Sequence, residues 1–118
     1  MATKKTEIEG IDFDQNIYGP NGKVLDEVTK NDGKEVRAPV TLGAMCYVAL
    51  MAPQSDRTLS MDEMLKLAQV ASIVTKGGVQ MLTVQQKNLI LDRIVTTFIP
   101  AFVFGIASVI DPELIEAL

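Results

Sequence analysis

The residues that come nearest to a known chemical motif are Asp12, Asp14 and Asn16, spaced two apart like the first ligands of a calcium-binding loop. Such a loop also needs a glycine at its sixth position and a glutamate at its twelfth. This chain has Ile17 and Lys23 at those positions. The motif is incomplete, so we expect no calcium site and interpret these side chains as the solvent-facing side of a strand.

The remaining chemically capable side chains do not have the spacing of a catalytic or metal site. The chain has one cysteine and no histidine, so the most common general base and metal ligand are missing. Cys46 lies in an apolar stretch, which predicts a buried structural thiol. Most of the carboxylates are better explained as helix caps and first-turn acids than as an acid–base pair: Asp62, Glu63, Asp92, Asp111, Glu113 and Glu116. We therefore expect no catalytic residue, no metal and no cofactor.

Composition indicates one small globular domain that does not bind nucleic acid. The 118 residues are 47% hydrophobic and 22% charged, as in an ordinary folded domain. The net charge is −4, and the lysines and arginines are scattered instead of forming the basic stripe that phosphate binding requires. A single cysteine fits a reducing compartment, and the first residues lack the apolar core of a signal peptide. We expect a cytoplasmic protein.

The first third of the chain has the pattern of a β-hairpin that follows a flexible segment over residues 1–10. Asn21-Gly22 supplies a tight turn, and residues 23–28 are the expected partner strand. This places a hairpin over residues 11–30 in a hairpin region 11–37, with a second turn at residues 31–33. Four residues share one side of its first strand, and all but Gln15 are apolar: Ile11, Phe13, Gln15 and Ile17.

Residues 41–118 predict a helical region with three to four helices. Thr41 is the expected cap of a first helix that is apolar almost all round, and such a helix is buried on most sides. Pro53 ends it before a polar loop. Ser60 and Thr83 begin capping boxes that start the second and third helices.

Apolar spacing indicates which sides of the second and third helices face inward. From the second helix we expect Met61, Met64, Leu65, Ala68, Ala71 and Ile73 or Val74. From the third helix we expect Leu89, Ile90, Ile94, Val95 and Phe98 inward, with Lys87, Asn88, Asp92 and Arg93 outward. The methionines could instead form an interaction surface, although methionine at helical spacing is more often core.

Residues 94–110 contain no charged residue and hold three of the four phenylalanines, so this stretch must be sheltered from water. Pro100 predicts a kink or break, and Asp111 with Pro112 predicts a short last helix capped by Asp111. Seventeen residues is the lower bound for crossing a bilayer. Pro100 and Gly105 near the middle, and the lack of a flanking basic cluster, favour shelter by protein over shelter by lipid.

Several short motifs occur in a fixed order before the proline-interrupted apolar segment: Asn21-Gly22-Lys23, Asp32-Gly33-Lys34, Thr41-Leu42-Gly43, Ala49-Leu50 and Leu82-Thr83. In this arrangement, over residues 20 to 110, the chain resembles small phage- and prophage-encoded proteins of unassigned role. It is also broadly similar to the helical tail-assembly chaperones of long-tailed phages. The resemblance implies a viral accessory or assembly protein without enzymatic activity, in the cytoplasm of the bacterial host or on the virion.

Together these patterns predict a mainly α fold of three to four helices packed with an N-terminal β-hairpin. The expected function is non-enzymatic: self-association, and binding of another, unidentified protein. The first helix and residues 98–110 carry more apolar surface than one small core should bury. We expect interface contacts among Met45, Val48, Phe98, Phe102, Phe104 and Ile106. The hairpin could also add its edge to another chain's sheet. The alternative is a membrane-active or membrane-anchored protein that uses residues 94–110.

Overall fold

A computed structural model describes residues 10–52 and 58–118, which contain four strands and five helices. The strands are β1 (Gly10–Asp12), β2 (Asp26–Asn31), β3 (Lys34–Pro39) and β4 (Val79–Met81). The helices are α1 (Leu42–Met51), α2 (Met61–Val74), α3 (Val84–Thr97), α4 (Pro100–Ile110) and α5 (Pro112–Glu116). The expected mainly α fold with a hairpin in the first part of the chain is confirmed. The flexible segment expected before residue 10, and Pro53 with the start of the loop expected after it, lie outside the described residues.

Three helices begin at the side-chain caps that the sequence indicated. The Thr41 hydroxyl accepts from a backbone N–H of the first turn of α1 at 3.3 Å. The Ser60 hydroxyl accepts from the Glu63 N–H at 3.1 Å, and the Glu63 carboxylate accepts from the Ser60 N–H at 3.0 Å. Thr83 and Gln86 form the same reciprocal pair before α3. Each cap satisfies N–H groups that have no partner inside the helix, at a gain of about 1 kcal/mol.

Pro100 divides the long apolar stretch into two helices, as expected. α3 ends at Thr97, the next two residues are extended, and Pro100 is the first residue of α4. Proline is tolerated there because the first N–H of a helix has no intrahelical partner. Pro112 begins α5 in the same way, but the expected side-chain cap by Asp111 is not formed.

The β-hairpin lies further along the chain than expected. β2 and β3 pair antiparallel over their full length, with Asp26 opposite Pro39. Asp32 and Gly33 form the two-residue turn with φ of 54° and 78°, the positive values that a type I′ turn needs. The predicted turn around residues 19–22 is formed as well, but only a short pairing flanks it. The Gly19 N–H donates to the Lys23 carbonyl at 2.9 Å, and Tyr18 forms an isolated antiparallel bridge with Val24.

The backbone partners of residues 10–16 are distant in sequence. β1 pairs with β4, and the chain then crosses the start of α1. There the Gly43 N–H donates to the Phe13 carbonyl at 2.8 Å, and the Leu42 N–H donates to the Gln15 carbonyl at 2.9 Å. The predicted alternation is confirmed, because the three buried apolar side chains of residues 10–18 are Ile11, Phe13 and Ile17.

The core lies among α1, α2, α3 and α4, with residues 10–18 running through it. α1 and α2 pack in opposite directions, so the start of α1 meets the end of α2. A Cβ at Gly43 would lie 2.8 Å from the Val74 carbonyl oxygen. On α4, a Cβ at Gly105 would overlap the Ile17 side chain. Both glycines therefore allow backbone approaches that a larger residue would block.

Candidate interaction surface

Helix α1 has no charged residue and leaves one apolar side uncovered. Its buried side consists of Leu42, Gly43, Met45, Cys46, Ala49 and Leu50. On the other side, Tyr47, Val48 and Met51 are each between 43% and 50% exposed. An apolar helix was expected to be buried on most sides, and in the described part of the chain α1 is buried on one.

Helix α2 also has an uncovered apolar side. The predicted orientation was correct for Ala71 and Val74 and wrong for the residues of the first two turns. Its buried residues are Leu67, Val70, Ala71 and Val74. The residues expected to face inward, Met61, Met64 and Leu65, are between 50% and 72% exposed, and Ala68 is exposed as well. The helix carries two apolar stripes roughly a third of a turn apart. Spacing by three and four detects both and does not tell which one meets the core.

A shallow groove lies between α1 and the C-terminal end of α2. It has a volume of about 400 Å³, and Tyr47, Val48 and Thr75 all contribute to its lining. Thr75 follows α2 directly and lies on the same stripe as Met64 and Ala68, eleven and seven residues earlier in the chain. We define the α1–α2 face as the six large exposed side chains of this region: Tyr47, Val48, Met51, Met61, Met64 and Leu65.

Asp14 lines one end of the groove and stabilises a turn. Its carboxylate accepts a hydrogen bond from the Gly78 N–H at 2.9 Å, and its own N–H donates to the Asp12 carboxylate at 2.9 Å. Gly77 and Gly78 have φ of 72° and 63°, which a glycine adopts without strain. Asp14 is exposed, as expected, but it has a specific structural partner. Among the described residues, no group of three acidic, cysteine or histidine side chains is placed to hold a metal ion.

The Cys46 thiol lies on the inner side of α1. The side chain is fully buried, and burial raises its pKa from 9.0 to about 12, because the thiolate would lose its hydration. The thiol therefore stays neutral near pH 7. The prediction of a buried structural cysteine is confirmed.

Arg93 was expected on the outer side of α3, but it is the one charged side chain buried in the described part of the chain, at 5% exposed. Its Nε donates to the Ala49 carbonyl at 3.1 Å, and Nη2 donates to the Ala52 carbonyl. Both acceptors lie at the C-terminal end of α1, where the helix dipole favours a cation. Nη1 is buried without a hydrogen-bond partner among the described residues. Arg93 thus fixes the end of the helix that carries half of the α1–α2 face.

The structure separates the six predicted interface residues into distinct environments. Met45 and Ile106 are buried in the chain's own core, and Val48 is exposed on the α1–α2 face. Phe98 and Phe102 are half-buried against the core, with ring centroids 5.9 Å apart. Phe104 is half-buried on α4. Of the six, Val48 alone belongs to the α1–α2 face, whose α2 part the sequence assigned to the core.

The apolar residues 94–110 are largely sheltered by the chain itself. Ile94, Ile106 and Ile110 are buried, and no residue after Pro100 in α4 is fully exposed. Two residues near the α3–α4 junction are exceptions: Val95, expected to face inward, is 65% exposed, and Ile99 is 63% exposed. No helix within the described residues has the length and apolar character needed to cross a membrane.

No protein-family model, curated protein or solved structure matches this chain. The likeness to phage accessory proteins therefore stays a prediction.

Proposed function

We propose that this protein is a non-enzymatic accessory or assembly protein of the phage type, which acts by self-association and by binding another protein. We assign the self-association to the α1–α2 face. The observation that supports this assignment is the exposure of six large apolar side chains on two adjacent helices, without a charged residue on α1. Large exposed apolar surfaces mark interaction sites in soluble proteins.

The size of the α1–α2 face fits a protein interface. Six side chains that are roughly half exposed present on the order of 600 Å², close to the roughly 800 Å² per partner of a standard interface. Tyrosine and methionine are enriched at such interfaces. The charged residues of α2 lie beside the face, where Lys66 and Asp62 pair with each other at 3.0 Å. This arrangement resembles the polar rim that surrounds an apolar interface core.

A second copy of the chain is the occupant that the charge distribution favours. The chain carries a net charge of −4, so two copies repel each other wherever their acidic surfaces approach. The α1–α2 face itself contains no charge, so a twofold contact centred there sets no like charges directly opposite each other within the face. Twofold dimers are also the most common form of self-association.

The polar groups near this region have structural roles, which supports the non-enzymatic part of the proposal. Asp14 holds the Gly77-Gly78 turn, and Arg93 binds the carbonyls at the end of α1. The Cys46 thiol is inaccessible, and its raised pKa of about 12 makes it a poor nucleophile.

Sedimentation equilibrium of the wild type and one surface variant tests the assignment. Leu65→Glu places a charge at the exposed centre of the α2 stripe and leaves the core intact, so we expect a folded protein of lower assembly mass. Gln69→Glu adds the same charge on a neighbouring exposed position of α2 outside the apolar stripe, and we expect it to match the wild type. A wild type that is monomeric at tens of micromolar would contradict the proposal, and so would equal masses for all three proteins.

A further inference from the structure

The β2–β3 hairpin extends away from the helices. All six residues of β3 are exposed, and in the described residues neither strand packs closely on a helix. At its base, the Val40 N–H donates to the Leu25 carbonyl at 3.1 Å. A two-stranded hairpin is marginally stable alone in water. Further strands on its edges would stabilise it.

The turn determines which backbone groups of β3 point outward. In a two-residue turn, the N–H of Lys34 points to the Asn31 carbonyl across the hairpin. Because the direction alternates along an antiparallel strand, Val36 and Ala38 also point their backbone groups toward β2. The N–H and carbonyl groups of Glu35 and Arg37 therefore point away from β2. They form a short unpaired β-edge on the described hairpin.

We propose that the β3 edge pairs antiparallel with the β3 edge of a second copy of this chain. Glu35 then lies opposite Arg37 of the second copy, Arg37 lies opposite its Glu35, and Val36 lies opposite its Val36. Each of the two charged pairs exchanges both N–H···O bonds, because both residues point their backbone groups outward. The result is a continuous four-stranded sheet across a twofold axis.

Charge selects this register over its neighbours. A shift by two residues in one direction places Glu35 opposite Glu35, and a shift in the other direction places Arg37 opposite Arg37. Like charges directly opposite each other destabilise a sheet, whereas opposite charges stabilise it. A shift by one residue would place the outward backbone groups of one copy opposite residues of the other copy whose N–H and carbonyl groups point toward β2.

The pairing inside the hairpin supports the same arrangement. Lys30 lies opposite Glu35 in the β2–β3 register, so Glu35 would stand between Lys30 of its own chain and Arg37 of the second copy. Arg37 already pairs with Asp26 of its own strand pair at 3.3 Å, and its guanidinium has further donors for a second carboxylate. Positive and negative side chains would therefore alternate across three adjacent strands on one side of the sheet.

This inference extends the self-association of the proposed function, because it adds a second twofold contact on a different element. A chain with two different twofold contacts forms tetramers when the two axes meet at right angles, and larger assemblies otherwise. Loss of the α1–α2 contact alone should leave a dimer that is held by the hairpins.

Disulfide trapping tests the contact directly. In the proposed register, cysteines introduced by Val36→Cys face each other as a non-hydrogen-bonded pair, with Cβ atoms roughly 4.5–5.5 Å apart. Small backbone adjustments bring such a pair into disulfide geometry. Ala38→Cys is the matched control, because the two residues would lie four positions apart along the sheet, roughly 13 Å. The native Cys46 is buried and should not take part.

We expect mild oxidation to convert Val36→Cys, but not Ala38→Cys, into a covalent dimer. A Val36→Cys protein that stays unlinked under these conditions would overturn the inference. Equal linking of both variants would also overturn it, since that result indicates random collision.

A charge exchange tests the register. In the Leu65→Glu background, Glu35→Arg gives a chain with arginine at both positions, and Arg37→Glu gives a chain with glutamate at both. Each variant alone places like charges opposite each other, and its dimerisation should weaken by about tenfold. An equimolar mixture places opposite charges in both pairs, so it should sediment as a dimer again. Unchanged single variants, or a mixture no tighter than its components, would contradict the register.

These experiments separate the two proposals. If Leu65→Glu lowers the assembly mass and Val36→Cys does not cross-link, the α1–α2 assignment stands and the hairpin contact fails. If Val36→Cys cross-links and Leu65→Glu has no effect on mass, the hairpin contact stands and the α1–α2 assignment fails.

Discussion

The α3–α4 region and the α1–α2 region are both rich in apolar residues, but the chain covers them very differently. On α4, every residue after Pro100 is at least half-buried, and residues 17–25 pack on it around Gly105. On α1 and α2, whole apolar stripes remain exposed. The length of an apolar stretch therefore does not identify an interface. What matters is whether another segment of the same chain lies on it.

Replacing Phe102 by aspartate should give the largest effect on stability. Phe102 is half-buried against the core and contacts Phe98, so we expect Phe102→Asp to lower the free energy of unfolding by about 3 kcal/mol. Urea denaturation measures this. Val95→Asp, at an exposed position on the preceding helix, should change stability by less than about 0.5 kcal/mol. If Phe102→Asp changed assembly but not stability, α4 would be an interface, contrary to the claim that the chain itself covers it.

Removing the Arg93 side chain tests how the two regions are joined. Arg93→Ala leaves the Ala49 and Ala52 carbonyls without their donors, and we expect a loss of about 2 kcal/mol in unfolding free energy. The neighbouring Asp92 is exposed, so Asp92→Ala should have little effect. Hydrogen exchange should also show faster exchange in the last turn of α1 in Arg93→Ala. Unchanged exchange there would show that Arg93 does not hold the helix end.

The smallest effect concerns the inner side of α1. The folded pKa of Cys46, about 12, lies above its ordinary value of 9.0, so the unfolded chain releases the proton first as pH rises. The stability contributed by the neutral buried thiol is fully present below pH 9 and is lost progressively between 9 and about 12. We therefore expect the free energy of unfolding of the wild type to fall, relative to that of Cys46→Ala, between pH 8 and pH 10. A constant difference would mean that the thiol is not desolvated.

Features that depend on nearby residues could be predicted from the sequence. The caps at Thr41, Ser60 and Thr83 are set by residues within three positions, and all three are formed. The break at Pro100 follows from the chemistry of that residue alone. The burial of Ile11, Phe13 and Ile17 was also predicted correctly, from their alternate spacing.

The features that could not be predicted depend on contacts distant in sequence. Residues 10–12 pair with a strand at residues 79–81, and local alternation carries no information about that partner. Arg93 reaches acceptors 41 and 44 residues away, although its position three residues after Ile90 already placed it on the apolar side of α3. Two turn-forming sequences, Asn21-Gly22 and Asp32-Gly33, compete for the hairpin, and both have suitable chemistry.

The central claim is that the α1–α2 face is open in a single chain and covered by a second copy. Peroxide oxidation of methionine, read residue by residue by mass spectrometry at low and high protein concentration, tests it most directly. We predict that Met61 and Met64 oxidise more slowly as the protein assembles. Met81, which is 54% exposed and lies outside the face, should oxidise at a constant rate. Equal rates for Met61 and Met64 at all concentrations would contradict the claim.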